Sequence, residues 1–155
     1  MTARTRLVAG LSAAVCVVGL TGCQKPTPIV SLVSGGNSVH ADATIYCFDG
    51  QSAQQQNCRT DVGSPTALPV KVGQQVGIDV SKKVADAGWV VVLPGADQDP
   101  SNDQASGRQD SHYFAFTPQP ELFANGPARL EVRMLDNGRT DAPTIGNWQF
   151  VLVPS

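Results

Sequence analysis

Histidine, aromatic and charged residues are all scarce in this chain, and each scarcity closes off chemistry. Only two histidines occur in 155 residues, His40 and His112. A nucleophilic site needs a base and a group that orients the base, and the only arrangement on offer is Asp110-Ser111-His112. Neighbours along a strand point to opposite faces, and a serine triad draws its members from distant segments. No enzyme is expected. No cysteine lies beyond Cys58, so the thiolate that a blue-copper site takes near a C-terminal hairpin is missing, and Met134, on an inward-facing run, reads as core. The two tryptophans, Trp89 and Trp148, read as core as well. Charged residues make up 15% of the chain with no basic excess, 11 Lys plus Arg against 13 Asp plus Glu, which argues against a nucleic-acid partner.

Long apolar runs are also absent, with one exception near the start. Arg4 and Arg6 precede Leu7 to Leu20, a stretch of Leu, Val, Ala and Gly without an acidic residue. A charged and then apolar layout of that length is a secretory signal and too short for a comfortable membrane span. Leu20-Thr21-Gly22-Cys23 resembles the lipobox of bacterial lipoproteins, which implies cleavage after residue 22 and a diacylated Cys23 as mature N-terminus. Each buried methylene contributes about 0.8 kcal/mol, so two chains on one residue anchor stably. The alternatives are an ordinary secreted protein cut near Gly22 and an uncleaved helix. Lys25-Pro26-Thr27-Pro28 follows as a short extended tether. The organisation is then a signal at 1–22, a lipidated cysteine and tether at 23–28, and one domain at 29–155. Removal of the signal takes Arg4 and Arg6 and leaves a net charge of about −4.

Cys16 leaves with the signal and Cys23 is lipidated, so Cys47 and Cys58 remain for the folded part. Outside the cytoplasm such a pair forms a disulfide. The rival reading recruits His40 or His112 into a metal site, but the two cysteines lack the short paired spacing of zinc ligands. No cofactor is expected.

What the chain does have is period-two alternation. Val39, Ala41, Ala43, Ile45 and Cys47 share a parity, as do Leu68, Val70 and Val72, then Val76, Ile78 and Val80, and later Leu130, Val132 and Met134. Trp89 to Leu93 is apolar throughout, as suits a strand covered on both sides. Phe114 with Phe116, and Trp148 with Phe150 and Leu152, complete the set. Turn signals separate the runs at Gly35-Gly36-Asn37, Asp49-Gly50, Gly73-Gln74, Pro94-Gly95 and Asn137-Gly138. Ser52 with Gln55 resembles a capping box, Ser81 is placed to cap Lys82 to Ala87 ahead of Gly88, and Pro120 opens a short turn at Glu121 to Ala124. The expectation is an all-β, immunoglobulin-like antiparallel sandwich with an extra N-terminal hairpin over residues 29–48 and short helical turns.

The segment from Ala96 to Ser111 gathers Asp97, Asp99, Asn102, Asp103, Arg108 and Asp110. It lacks the glycine and the terminal glutamate of an EF-hand loop, and reads as a mobile, solvated loop and the first place to look for a partner. Arg129 and Arg133 flank Glu131 on one face, as a solvated charge ladder.

Several of these stretches are shared with a known family. Cys23-Gln24-Lys25-Pro26-Thr27-Pro28, the Cys47 and Cys58 pair, Val72-Gly73-Gln74-Gln75-Val76-Gly77-Ile78-Asp79-Val80, Val84-Ala85-Asp86-Ala87-Gly88-Trp89 and Trp148-Gln149-Phe150 resemble short actinobacterial lipoproteins catalogued as domain of unknown function 2771. The resemblance implies a lipid-anchored envelope protein and no particular activity. The run from Val70 to Val80 also resembles the opening of chagasin-type cysteine-protease inhibitors. Lys82 to Gly88 would stand for their first protease-facing loop, and nothing matches the other. The expected function is therefore a non-enzymatic binding or accessory module at the extracytoplasmic face of the cell membrane. It is held by membrane lipid through Cys23 and contacts an envelope protein or polymer. A chagasin-like inhibitor and a cupredoxin-like metal protein are the alternatives.

Overall fold

The computed structural model describes residues 26–48, 58–60, 65–95, 100–136, 138–139 and 143–155. The signal, Cys23, the Asp49-Gly50 turn, Ser52 with Gln55, Asp97, Asp99 and Asn137 lie outside the described residues.

Alternation produces the strands where it was read. The first hairpin joins β1 (Val30–Ser34) to β2 (Asn37–Ala41) across the Gly35-Gly36 turn. After β3 (Ile45–Cys47), β4 (Cys58–Thr60) and β5 (Thr66–Val70), the run Val76-Gly77-Ile78-Asp79-Val80 forms β6 (Val76–Val80). Its three large apolar residues are fully buried. Helix α1 (Lys82–Ala87) and β7 (Trp89–Leu93) follow, then β8 (Gln104–Ala105), β9 (Tyr113–Phe116), β10 (Ala128–Leu135) and β11 (Thr144–Pro154). Pro120–Phe123 is a 3-10 turn led by its proline.

One sheet runs β2-β1-β6-β9 and the other β4-β3-β11-β10-β7-β8, with β5 running parallel on β11. This is an immunoglobulin-like sandwich. The edge position on β6 is taken by β1, the edge position on β11 by β5, and the segment carrying β2 to β4 is inserted between those two strands. The parallel pair departs from the all-antiparallel expectation: β5 and β11 are far apart in the chain, so no hairpin imposes an antiparallel direction on them.

Between the sheets lie Trp89, Trp148, Leu32, Leu68, Leu130 and Phe150, all fully buried, together with Met134 at 3% exposure. Burial of each such side chain contributes about 1.5–3 kcal/mol. Both indoles keep a polar partner: Trp89 Nε1 donates to the Ser111 carbonyl and Trp148 Nε1 to that of Pro28, each at 2.9 Å. Val90 and Val92 are buried with Leu135 on the outer face of β7, so that strand is covered on both sides as its composition requires.

Three expectations are corrected. The single parity drawn from Val39 to Cys47 breaks where the chain crosses between sheets. Thr44 bonds the Asn147 carbonyl through its backbone N–H (2.7 Å) and its hydroxyl (3.0 Å). The strand that follows is thereby set so that Tyr46 is buried, 6.4 Å from the Trp148 ring, and Ile45 only half-buried. Val72 is 46% exposed, because the strand ends at Val70 and Val72 belongs to the turn. Ser81 sits at the N-cap of α1 but makes no side-chain capping bond.

Candidate functional site

The segment from Ser101 to Asp110 is largely exposed, as expected, but it is not an unpaired excursion. Pro100–Asn102 makes one 3-10 turn, and β8 then pairs with Leu93 and Val92. Ser106 donates its N–H to the Val91 carbonyl at 2.7 Å and accepts the Val91 N–H on its hydroxyl at 3.0 Å. Gln109 and Trp89 exchange both backbone bonds, at 3.1 and 2.8 Å. The segment therefore lies along the whole length of β7, because backbone groups beside an apolar strand are satisfied best by pairing with it. Its polar composition concealed this: only Ala105 is apolar among the residues that form the ladder.

That course separates the expected site residues. Asn102 and Asp103 stand at the end of the sandwich where β7 finishes, and Arg108 and Asp110 at the end where it starts. Arg108 pairs with Asp110 at 2.6 Å, and its guanidinium lies against Gly88 and Gly138. Asp103 turns inward to Arg129 Nη2 at 2.7 Å. The structure does not bring these four side chains together.

The solvated charge ladder is corrected too. Glu131 is 6% exposed. Arg133 donates to its Oε2 from Nε and Nη2 at 2.9 and 2.7 Å, and Arg129 Nε stands 3.4 Å from Oε1. Asp103, Arg129, Glu131 and Arg133 thus form one chain of alternating charge, with Asn147 Nδ2 at its edge, 3.5 Å from Glu131. The outer faces of β10 and β11 place them side by side. Both carboxylate oxygens of Glu131 face guanidinium groups, an arrangement that pins the 100–103 turn to the sheet, while Asp103 Oδ1 and Asn147 Oδ1 are buried beside it without a hydrogen-bond partner among the described residues.

Asp110, Ser111 and His112 go three ways. Asp110 serves Arg108, the Ser111 hydroxyl donates to the Tyr113 carbonyl at 2.7 Å, and His112 Nδ1 lies 3.1 Å from the Val80 carbonyl. Among the described residues no three His, Cys, Asp or Glu side chains converge in a manner that could hold a metal. Cys47 and Cys58, directly opposite in the β3–β4 ladder, form the disulfide, which removes the thiols from the rival metal reading. Lys82 to Ala87, the stretch aligned with a chagasin loop, is helical with Val84 and Ala85 buried.

The two ends of the sandwich differ. At one end a hollow of about 650 Å³ lies between α1, β3 and the end of β10, lined by Tyr46, Lys83, Asp86, Arg108 and Asp136 among others. Its charges balance: Lys82 holds Asp86 at 2.6 Å, Arg108 holds Asp110, and Lys83 stands 5.1 Å over the Tyr46 ring. Pro28, bonded to Trp148, enters at this same end. At the other end are the β1–β2 and β5–β6 turns, the 100–103 turn and the 3-10 turn after β9. Sequence reasoning singled out no aromatic outside the core, yet Tyr113 is 50% exposed at the edge of the smaller sheet. Its signal was the outward parity next to Phe114 and Phe116.

A disulfide-stapled immunoglobulin-like sandwich with opposed, dissimilar ends and no converging reactive side chains among its described residues is the class that this geometry defines. The chain matches, over residues 16–124, the model of the family described as protein of unknown function (DUF2771). It belongs to that family. No curated protein and no solved structure matches it.

Proposed function

We propose that the protein is a lipid-anchored, non-enzymatic binding or accessory module at the extracytoplasmic face of the cell membrane, tethered through Cys23 and contacting an envelope partner with the end away from the tether. The observation that carries this reading is the capture of the Pro28 carbonyl by Trp148. It fixes the entry of the tether at the α1 end, so an anchor on Cys23 leaves the β1–β2, β5–β6 and 100–103 turns facing away from the bilayer. The Cys47–Cys58 disulfide supports an oxidising compartment, and the charged and apolar layout of residues 1–22 supports export.

The test is Cys23→Ala in growing cells. The unaltered protein should fractionate with membranes and incorporate labelled palmitate, and the variant should lose the label and leave the membrane. Photo-crosslinkers at Gly36 and Asn102 should capture an envelope component and one at Asp86 should not. Recovery of the unaltered protein from cytosol with residues 1–22 attached would refute the reading.

A further inference from the structure

The outer face of the smaller sheet carries a hollow of about 440 Å³, bordered by Val33, Asn37, Ser38, Gln74, Gly77 and Tyr113 among others. It has a feature found in neither the charged hollow at the tether end nor the Asp103 network: none of its lining residues is ionisable at neutral pH. Its polar groups are amides and hydroxyls, which offer donor and acceptor together, and its one large surface is the half-exposed ring of Tyr113.

Two glycines seat its walls. A Cβ at Gly77 would stand 2.8 Å from Cε2 and Cζ of Tyr113, so the ring lies across the bare backbone of β6. At Gly35, in the left-handed region with φ of 56°, a Cβ would meet the Gln74 carboxamide at 2.5–2.8 Å. Any side chain at either position would push the ring or the amide out of place. The turn that bears Gln74 is itself held, since Ser34, only 4% exposed, donates its hydroxyl to the Gln75 carbonyl at 3.0 Å. Val33, 36% exposed, supplies an apolar floor beside the ring.

From this we infer a binding site for a neutral saccharide, in which the C–H face of a sugar ring stacks on Tyr113 and its hydroxyls bond the Gln74, Asn37 and Ser38 side chains. A sugar presents what this hollow complements: an apolar ring face, a rim of hydroxyls that both donate and accept, and no charge. Peptide termini, phosphates and metal ions would find no counter-charge among the lining residues. The hollow lies at the end away from Pro28. The inference deepens the binding-module reading, naming the envelope partner as a polymer of neutral sugars.

The experiment uses the full-length protein in a detergent without a sugar headgroup. Isothermal calorimetry is run against tetrasaccharides of glucose, galactose, mannose, arabinose and N-acetylglucosamine, with an oligogalacturonate as the charged control. At least one neutral probe should bind and the uronate should not. Tyr113→Ala should weaken binding about tenfold, the size of one aromatic stacking contact, Tyr113→Phe should stay within about threefold, and Lys83→Ala at the opposite end should change nothing. Gly77→Val, which displaces the ring without removing it, should weaken binding like Tyr113→Ala while the melting temperature of each variant reports folding. No binding by any neutral probe, or binding indifferent to Tyr113→Ala, overturns the inference. The Cys23→Ala fractionation is independent of these titrations, so a membrane-bound protein that binds no sugar refutes the site and leaves the anchored module standing.

Discussion

Removing the Cys47–Cys58 disulfide separates two contributions that the fold combines. The bond closes a loop of about twelve residues, for which the chain-entropy model gives about 2.8 kcal/mol. That figure assumes the reduced native state keeps β4 in place, and the structure makes this doubtful on energetic grounds. Among the described residues the strand β4 pairs with β3, over three residues, and Arg59 and Thr60 are exposed. So little apolar burial holds the strand that, once unlinked, it should fray and recover part of the lost entropy in the native state. The double variant Cys47→Ala/Cys58→Ala should therefore lose about 1–3 kcal/mol. For a domain of about 130 residues this corresponds to a melting temperature lower by roughly 4–10 °C. Hydrogen exchange should show the Arg59 and Thr60 amides exchanging faster, with β10 and β11 unchanged at the level of local opening. A melting temperature within about 1 °C of the parent would refute the reasoning, because the covalent link would then constrain nothing that the ladder does not already hold.

Three further outcomes follow from the packing. Trp148→Phe removes the donor to the Pro28 carbonyl and part of a fully buried ring. It should cost about 2–3 kcal/mol, read from the urea midpoint. Glu131→Ala leaves two guanidinium groups without their shared carboxylate, but both arginines are 37% exposed and can take up water. The loss should be about 1–3 kcal/mol rather than the larger penalty of an isolated buried charge. Arg129→Ala deprives Asp103 of its partner, so exchange protection at Ala105 and Ser106 should fall while that of Leu130 to Met134 in the core of β10 holds.

The sandwich was legible because its strands each bury one face, and alternation is the direct imprint of that. Val76-Gly77-Ile78-Asp79-Val80 and Leu130-Glu131-Val132-Arg133-Met134 needed nothing beyond parity. What parity could not show was where a run changes sheets: after the crossing at residues 42–44 Ile45 is only half-buried and Tyr46, outside the parity set, is buried. Composition misled at Glu131 and was half the answer at the 100–110 segment. Glu131 is buried between Arg129 and Arg133, two residues to either side on its own strand, a cover that outward parity does not show. The 100–110 side chains are mostly exposed, but their backbone pairs with Val91 and Trp89, and Asp103 pairs with Arg129, partners distant in sequence. The hollow beside Tyr113 was hidden differently, since it depends on two residues without side chains, Gly35 and Gly77, whose role is visible only when their neighbours are in place.

The insertion of β2 to β4 between β1 and β5 explains why the two ends of this molecule differ. In a plain sandwich of this type a single first strand passes from one sheet edge to the other, and both ends are simple turns. Here β1 stays on β6 and β5 joins β11, so the intervening chain leaves the smaller sheet at Ala41, crosses to β11 through Thr44, and is back in the smaller sheet only at β6. That detour brings Tyr46 and the Cys47–Cys58 staple to the α1 end, against Lys83. The same end receives Pro28. At the far end the described residues of the insertion contribute the Gly35-Gly36 turn, which lies against Gln74 of the β5–β6 turn and raises one wall of the uncharged hollow. A single topological change thus fills the end that receives Pro28 with covalent and charged contacts and gives the far end a hollow whose lining carries no ionisable side chain. The double variant Asn37→Ala/Ser38→Ala, at two exposed positions of β2, should accordingly leave the melting temperature within about 3 °C, since no core residue is touched, and weaken saccharide binding. A variant that melts normally and still binds as tightly would show that the hollow owes nothing to the insertion.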